Sequence, residues 1–177
     1  VGNLWVPLVI FIACIGIIIY MGKNLTSMKY ETASILFIVF SAIMGMTLST
    51  VFLVYKMSSI ASVFLITGGV FGAFAAFGYL TKKDLSGWGN ILFMGLIGLI
   101  IAMIVGFFIM NDIYALIVNC LGVIIFVGLI AYDNQNMKKM ARDYTDISTG
   151  NIAIWCALDL YLDFINLFLQ LLELLGK

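Results

Sequence analysis

Six times along this chain a run of about 20 mainly apolar residues recurs, which is the length a helix needs to cross the hydrocarbon core of a bilayer. The runs are Leu4 to Met21, Ala33 to Tyr55, Ser59 to Leu80, Trp88 to Met110, Tyr114 to Asp133 or a turn or two beyond, and Ile152 to Leu175. Inside lipid every backbone polar group must find its partner within the protein, so each run reads as a helix. With 64% of residues hydrophobic, 10% charged and one proline, no water-soluble core could absorb the apolar surface. The reading is an all-α integral membrane protein with six transmembrane helices, residues 1–177 forming a single helical bundle domain.

The charges then fix an orientation. Counting sides by alternation, Lys23, Lys29, Lys82, Lys83, Lys138, Lys139 and Arg142 fall on one face, and Lys56 and Lys177 on the other. By the positive-inside bias the first face is cytoplasmic, which places both ends of this chain outside. The chain begins at Val1 with no recognisable signal peptide, and an odd number of helices ahead of it would return the amino terminus to the cytoplasm. Trp5, Trp88 and Trp155 lie near span ends, where interface anchors belong.

Other classes drop out on composition. Net charge is zero and no basic run is interleaved with aromatics, so nucleic acid is not an expected partner. Cys14, Cys120 and Cys156 sit inside apolar runs with no CxxC spacing, and there is no histidine to complete a zinc site. They read as buried small hydrophobes. Gly68, Gly69, Gly72, Ala75, Ala76 and Gly78 in the third span, like Ser34, Ser41, Gly45 and Ser49 in the second, read as positions of close helix packing.

The last span breaks the pattern. Asp159, Asp163, Asn166, Gln170 and Glu173 are spaced 4, 3, 4 and 3, and at 100° per residue they fall within an arc of about 80°. An ionised carboxylate facing lipid near the bilayer centre would cost at least about 3 kcal/mol. The stripe must therefore face protein or water, which predicts a central carboxyl-terminal helix with the others packed around it. The fifth span offers a counterpart in Asp133, whose helix face also carries Asn119, Gly122, Phe126 and Leu129. If Asp133 meets Asp163, both cannot ionise cheaply in low dielectric and the two share a proton, a pH-sensitive latch. A static alternative pairs the acids with Lys23 or with Tyr and Thr hydroxyls, fixing helix register only. Asp112 reads as a loop residue on the outer face; Asp143 and Asp146 read as solvated in a polar loop over residues 134–151.

Three stretches, Gly78-Tyr79-Leu80-Thr81-Lys82-Lys83-Asp84-Leu85-Ser86, Ala131-Tyr132-Asp133-Asn134-Gln135 and Ala157-Leu158-Asp159-Leu160-Tyr161-Leu162-Asp163-Phe164-Ile165-Asn166-Leu167-Phe168, resemble the transmembrane Bax inhibitor motif family, and the order of spans extends the match over the whole chain. The resemblance implies seven helices in the full protein, with the family's first helix absent here. It implies a pH-sensitive calcium leak channel that regulates cytosolic calcium. Asp133 and Asp163 match the aspartate pair that gates it, and would also be the transient calcium ligands. Lys23 stands where a basic residue pairs with the gate; a lysine lacks arginine's bidentate fork. Asp159, an additional acid one turn before Asp163, and Asn166 and Gln170 are candidates for an auxiliary role or the ion path. Calcium and protons are the expected partners with the lipid bilayer, calcium as transported ion and no permanently bound cofactor. Short loops point to a bacterial inner membrane.

Three further classes compete with this reading. A non-conducting regulator that binds a membrane protease or a cell-death factor would leave no motif on lipid-facing helices. An intramembrane aspartyl protease also needs two aspartates on adjoining spans, but the Gly-x-Gly-Asp signature is absent, and no enzyme is expected. A proton-coupled transporter would show an inverted repeat or a broken helix pair, and neither is apparent.

Overall fold

The structure, a computed structural model, describes residues 5–24, 27–109, 111–143 and 149–176. Leu4, Met110, Asp146, Lys177 and the side chain of Trp5 lie outside the described residues. Among the described residues seven helices follow in order: α1 (Trp5–Lys23), α2 (Tyr30–Leu48), α3 (Val51–Val54), α4 (Met57–Leu80), α5 (Ser86–Ile109), α6 (Asp112–Asp143) and α7 (Thr149–Leu175). There is no strand among the described residues. Five stretches are long and apolar enough to cross a membrane: Tyr30–Val54, Met57–Leu80, Ser86–Gly106, Asp112–Asp143 and Gly150–Leu175. The apolar helix α1, 19 residues long, accounts for the remaining span.

Two boundaries differ from the sequence reading. The second span is interrupted at Ser49 and Thr50, which separate α2 from α3. Here hydroxyls bond back to the chain that carries them: Thr47 Oγ1 donates to the Ile43 carbonyl at 3.0 Å, Ser49 Oγ to Met46 at 2.6 Å and Thr50 Oγ1 to Thr47 at 2.8 Å. Such back-bonding competes with the helical ladder and bends it. The second concerns the fifth span, expected to end at Asp133 or a turn or two beyond, which continues as α6 through Asp143 and so takes in residues read as part of a polar loop. At 1.5 Å per residue, the 32-residue helix is about 48 Å long, well beyond the ~30 Å hydrocarbon core. Asp143 is its last residue, exposed as expected but helical, and Asp112 is its first.

The chain divides into two compact units, one of Val1–Val54 with Ala141–Leu158 and the other of Tyr55–Met140 with Asp159–Lys177. In the first unit the start of α7 packs on α1 and α2. The ring of Trp155 lies 3.0 Å from where a Cβ would stand on Gly22, and Tyr30 crowds Gly150 in the same way. Asn151 Nδ2 donates to the Met28 carbonyl at 2.5 Å. Trp155 is thus half-buried packing as much as an interface anchor, whereas Trp88, 60% exposed, is free to be one.

In the second unit α4 and α6 both lie against α7. Phe164 meets Phe64 and Phe71 edge-on, with centroids 5.4 and 5.5 Å apart, the arrangement that aromatic quadrupoles favour. The α4 and α6 backbones touch at Gly78, where a Cβ would collide with the Ala131 carbonyl. Gly68, Gly69, Gly72 and Gly45 do not pack as the sequence reading expected: a Cβ on any of them would meet nothing within 4 Å. Small size permits close approach but does not compel it, and only Gly78 of the α4 series meets a backbone. From Asp159 to Leu172 no residue of α7 is exposed. This stretch of the carboxyl-terminal helix is therefore largely covered, with Leu167 and Leu172 at 0% and 1% exposure. The cysteines are less uniform than expected: Cys14 is buried, Cys156 intermediate and Cys120 exposed on the apolar surface of α6.

Candidate functional site

The polar residues of α6 and α7 meet in the second unit. Asp133 stands on α6 ten residues before its end, and Asp163 near the middle of α7. Their carboxyl groups are within hydrogen-bonding contact of each other. Asp163 is 6% exposed, and its Oδ2 meets no N–H or hydroxyl donor among the described residues. A hydrogen bond between two carboxyl groups requires a proton on one of them, since a carboxylate only accepts.

Asp159, one helical turn before Asp163, is half-buried and close enough to Asp133 for their charges to interact directly. On the other side of Asp163 the stripe continues through Asn166, whose Nδ2 is tied back to the Leu162 carbonyl at 2.8 Å. That bond leaves the Asn166 amide oxygen uncommitted by its own donor group. Gln170 is 5% exposed and its Oε1 is buried without a hydrogen-bond partner among the described residues. It fits there because α6 carries Gly122 opposite: a Cβ at that position would stand 2.6 Å from the Gln170 side chain. Glu173, the last member of the stripe, is exposed. Lys23 is exposed in the first unit, in the last turn of α1, where a cation is favoured by its own helix dipole.

One polar contributor near the pair had no role in the sequence reading beyond its place in a motif. Gln135, two residues after Asp133, spans from α6 to the α4–α5 connection. Its Nε2 donates to the Lys83 carbonyl at 2.7 Å and its Oε1 accepts the Leu85 N–H at 2.8 Å. Lys139, one turn further, pairs with Asp84 at 2.7 Å, and Lys138 Nζ reaches the Tyr79 carbonyl at 2.8 Å. The Lys139 ammonium and the Ser86 donors hold the Asp84 carboxyl well below the usual carboxylate range. Asp84 in turn accepts the Ser86 N–H and starts α5. The basic end of α6 is thus laced to the loop beside it, which fixes the depth of Asp133. The signal for this was in the sequence: residues 134–143 contain neither Gly nor Pro and several good helix formers.

A family model described as "Inhibitor of apoptosis-promoting Bax1" matches residues 2–177 of the chain. The chain is 44% identical over 171 residues to the inner membrane protein YbhL of Escherichia coli K12, covering 95% of this chain and 73% of that protein. An uncharacterized protein, RP147, of Rickettsia prowazekii is 41% identical over 170 residues, with 96% and 72% covered. An uncharacterized membrane protein of Streptococcus pyogenes serotype M1 is 34% identical over 161 residues, with 91% and 70% covered.

Proposed function

Because the chain belongs to the Bax1 inhibitor family of membrane proteins, and is an integral protein of the bacterial inner membrane, we propose that it is a passive, pH-sensitive calcium leak gated by Asp133 and Asp163. The observation that supports this is the pair itself: two carboxyls from different helices in mutual contact, one of them almost wholly withdrawn from solvent. While one proton is shared, the contact ties α6 to α7. Once it leaves, two like charges at such a separation repel by about 4 kcal/mol at an intermediate dielectric. That repulsion is relieved by parting the helices or by a cation between the carboxylates, and calcium takes oxygen ligands of this kind. Acid therefore closes the path and alkaline conditions open it. Asp159 adds negative charge beside the opening, and Asn166 and Gln170 extend polar groups along α7. The reading gives the protein transport and no chemical turnover; calcium is its cargo, with no resident cofactor.

The test is calcium flux against pH in proteoliposomes. Wild-type flux should fall as pH drops, and Asp163→Asn or Asp133→Asn, which remove the shared ionisation with little change of shape, should flatten the profile. An unaltered profile in both variants rejects the gate. If purified wild-type protein carries no flux at any pH while a stoichiometric membrane partner co-purifies, the chain is instead a non-conducting regulator.

A further inference from the structure

At the end of the second unit opposite Lys82, Lys83, Lys138 and Lys139, α5, α6 and α7 enclose an open cavity of about 440 Å³. Asp112 and Glu173, both exposed, line it together with Asn111, Tyr114 and Asn119. Glu173 lies ten residues beyond Asp163, about 15 Å along the helix axis. No Lys or Arg is among the lining residues described.

We propose that this cavity binds a hydrated divalent cation, held by the Asp112 and Glu173 carboxylates over the Asn119 amide. The carboxylates alone would be an ordinary solvated pair. Asn119 makes the difference: it is 5% exposed, lines the cavity, and its side-chain amide has no hydrogen bond to a described residue. What is exposed of it opens into the cavity, so its amide oxygen is available to a group held there. Tyr114 does not compete for this role, because its hydroxyl donates to the Ala102 carbonyl at 2.9 Å and its ring lies over Gly106. That contact also closes the α5–α6 turn and holds the cavity wall. Helices α4 and α6 begin at this end of the unit and α5 and α7 end there, so their dipole ends balance and the attraction for a cation rests on the two carboxylates.

The donor set selects the ion. Carboxylate and amide oxygens without sulfur or imidazole favour hard cations such as calcium, magnesium or manganese over zinc or copper. With two carboxylates and room for water, the ion keeps part of its hydration shell and binds weakly, as a point of entry requires. This deepens the transport reading by giving the cation its first stop, but binding at equilibrium needs no gate, so either can fail alone.

The experiment is titration of the purified full chain in detergent with terbium, a hard-cation probe whose luminescence is excited through nearby tyrosine, with calcium as competitor. Wild-type protein should give saturable luminescence that calcium displaces. The isosteric double variant D112N/E173Q should lower the affinity by about tenfold or more, since it removes both charged ligands. D84N, at the opposite end of the unit and outside the cavity, should bind as wild type does. Size-exclusion profiles matching wild type keep the variants comparable. The proposal is overturned if D112N/E173Q binds terbium as tightly as wild type, if D84N abolishes binding, or if wild-type protein gives no saturable signal.

Discussion

Helices α5 and α7 are both long enough to span a bilayer, yet they treat their surroundings in opposite ways. Helix α5 carries no charged residue, and among its described side chains only Leu99 is buried. Helix α7 carries three acids and has no exposed residue between Asp159 and Leu172. In water the more polar helix would be the exposed one. In a membrane the order inverts, because lipid cannot satisfy a carboxyl or an amide and only protein can. Helix α5 can face lipid because any side of it is equally apolar; α7 is covered because one side of it must be.

The largest effect should come from exchanging those roles. Ile97, at the middle of α5 and 45% exposed, should not tolerate aspartate. The Ile97→Asp variant is expected to lose about 3 kcal/mol or more of insertion free energy, read as a sharp loss of membrane-integrated protein in carbonate-washed membranes. Normal integration of this variant would break the comparison. Asp163→Asn, by contrast, should integrate as wild type does.

A smaller effect separates covered glycines from bare ones. Gly78→Ala drives a methyl group into the Ala131 backbone, which cannot rotate away, and should destabilise by about 1–3 kcal/mol. Gly98→Ala on α5 meets nothing within 4 Å and should be neutral or stabilise by up to about 1 kcal/mol through helix propensity. Thermal unfolding in detergent checks both, and equal shifts would show that α5 is packed as tightly as α4.

The smallest effect lies outside the bilayer, where the Asp84 and Lys139 side chains are 72% and 44% exposed. Since the Asp84 carboxyl is held below its ordinary range, the contact contributes fully above the unfolded carboxylate value of about 3.9 and is lost as pH falls through the lower folded value. Asp84→Asn should thus slightly speed hydrogen exchange in the α4–α5 connection at neutral pH, and the difference from wild type should vanish in strong acid. A difference that persisted there would mean that the Ser86 cap, not the ion pair, holds the loop.

How much of this could be read from residues alone varies by element. The spans were legible because the hydrocarbon thickness imposes a length that any apolar run either meets or does not. The interruption at Ser49 and Thr50 was not, since those hydroxyls read equally well as small packing residues. The extension of α6 was hidden by polarity: residues 134–143 leave the apolar pattern but keep helix-forming residues, and hydropathy reports only the first of these facts. Gln135 was legible only as a motif residue, and its partners at Lys83 and Leu85 follow from how α6 packs beside the α4–α5 connection.

The sequence by itself determined that this is a bundle of membrane-spanning helices and that the acidic face of the last one must be covered, because the free energy of placing a residue in lipid is set locally by its own chemistry. Only the tertiary structure decided that Asp163 meets Asp133, that Gln170 rests on Gly122 and that Asn119 opens into the same cavity as Glu173. Those meetings depend on the depth and rotation of each helix against its neighbour, which follow from many packing contacts at once and from no single stretch of chain.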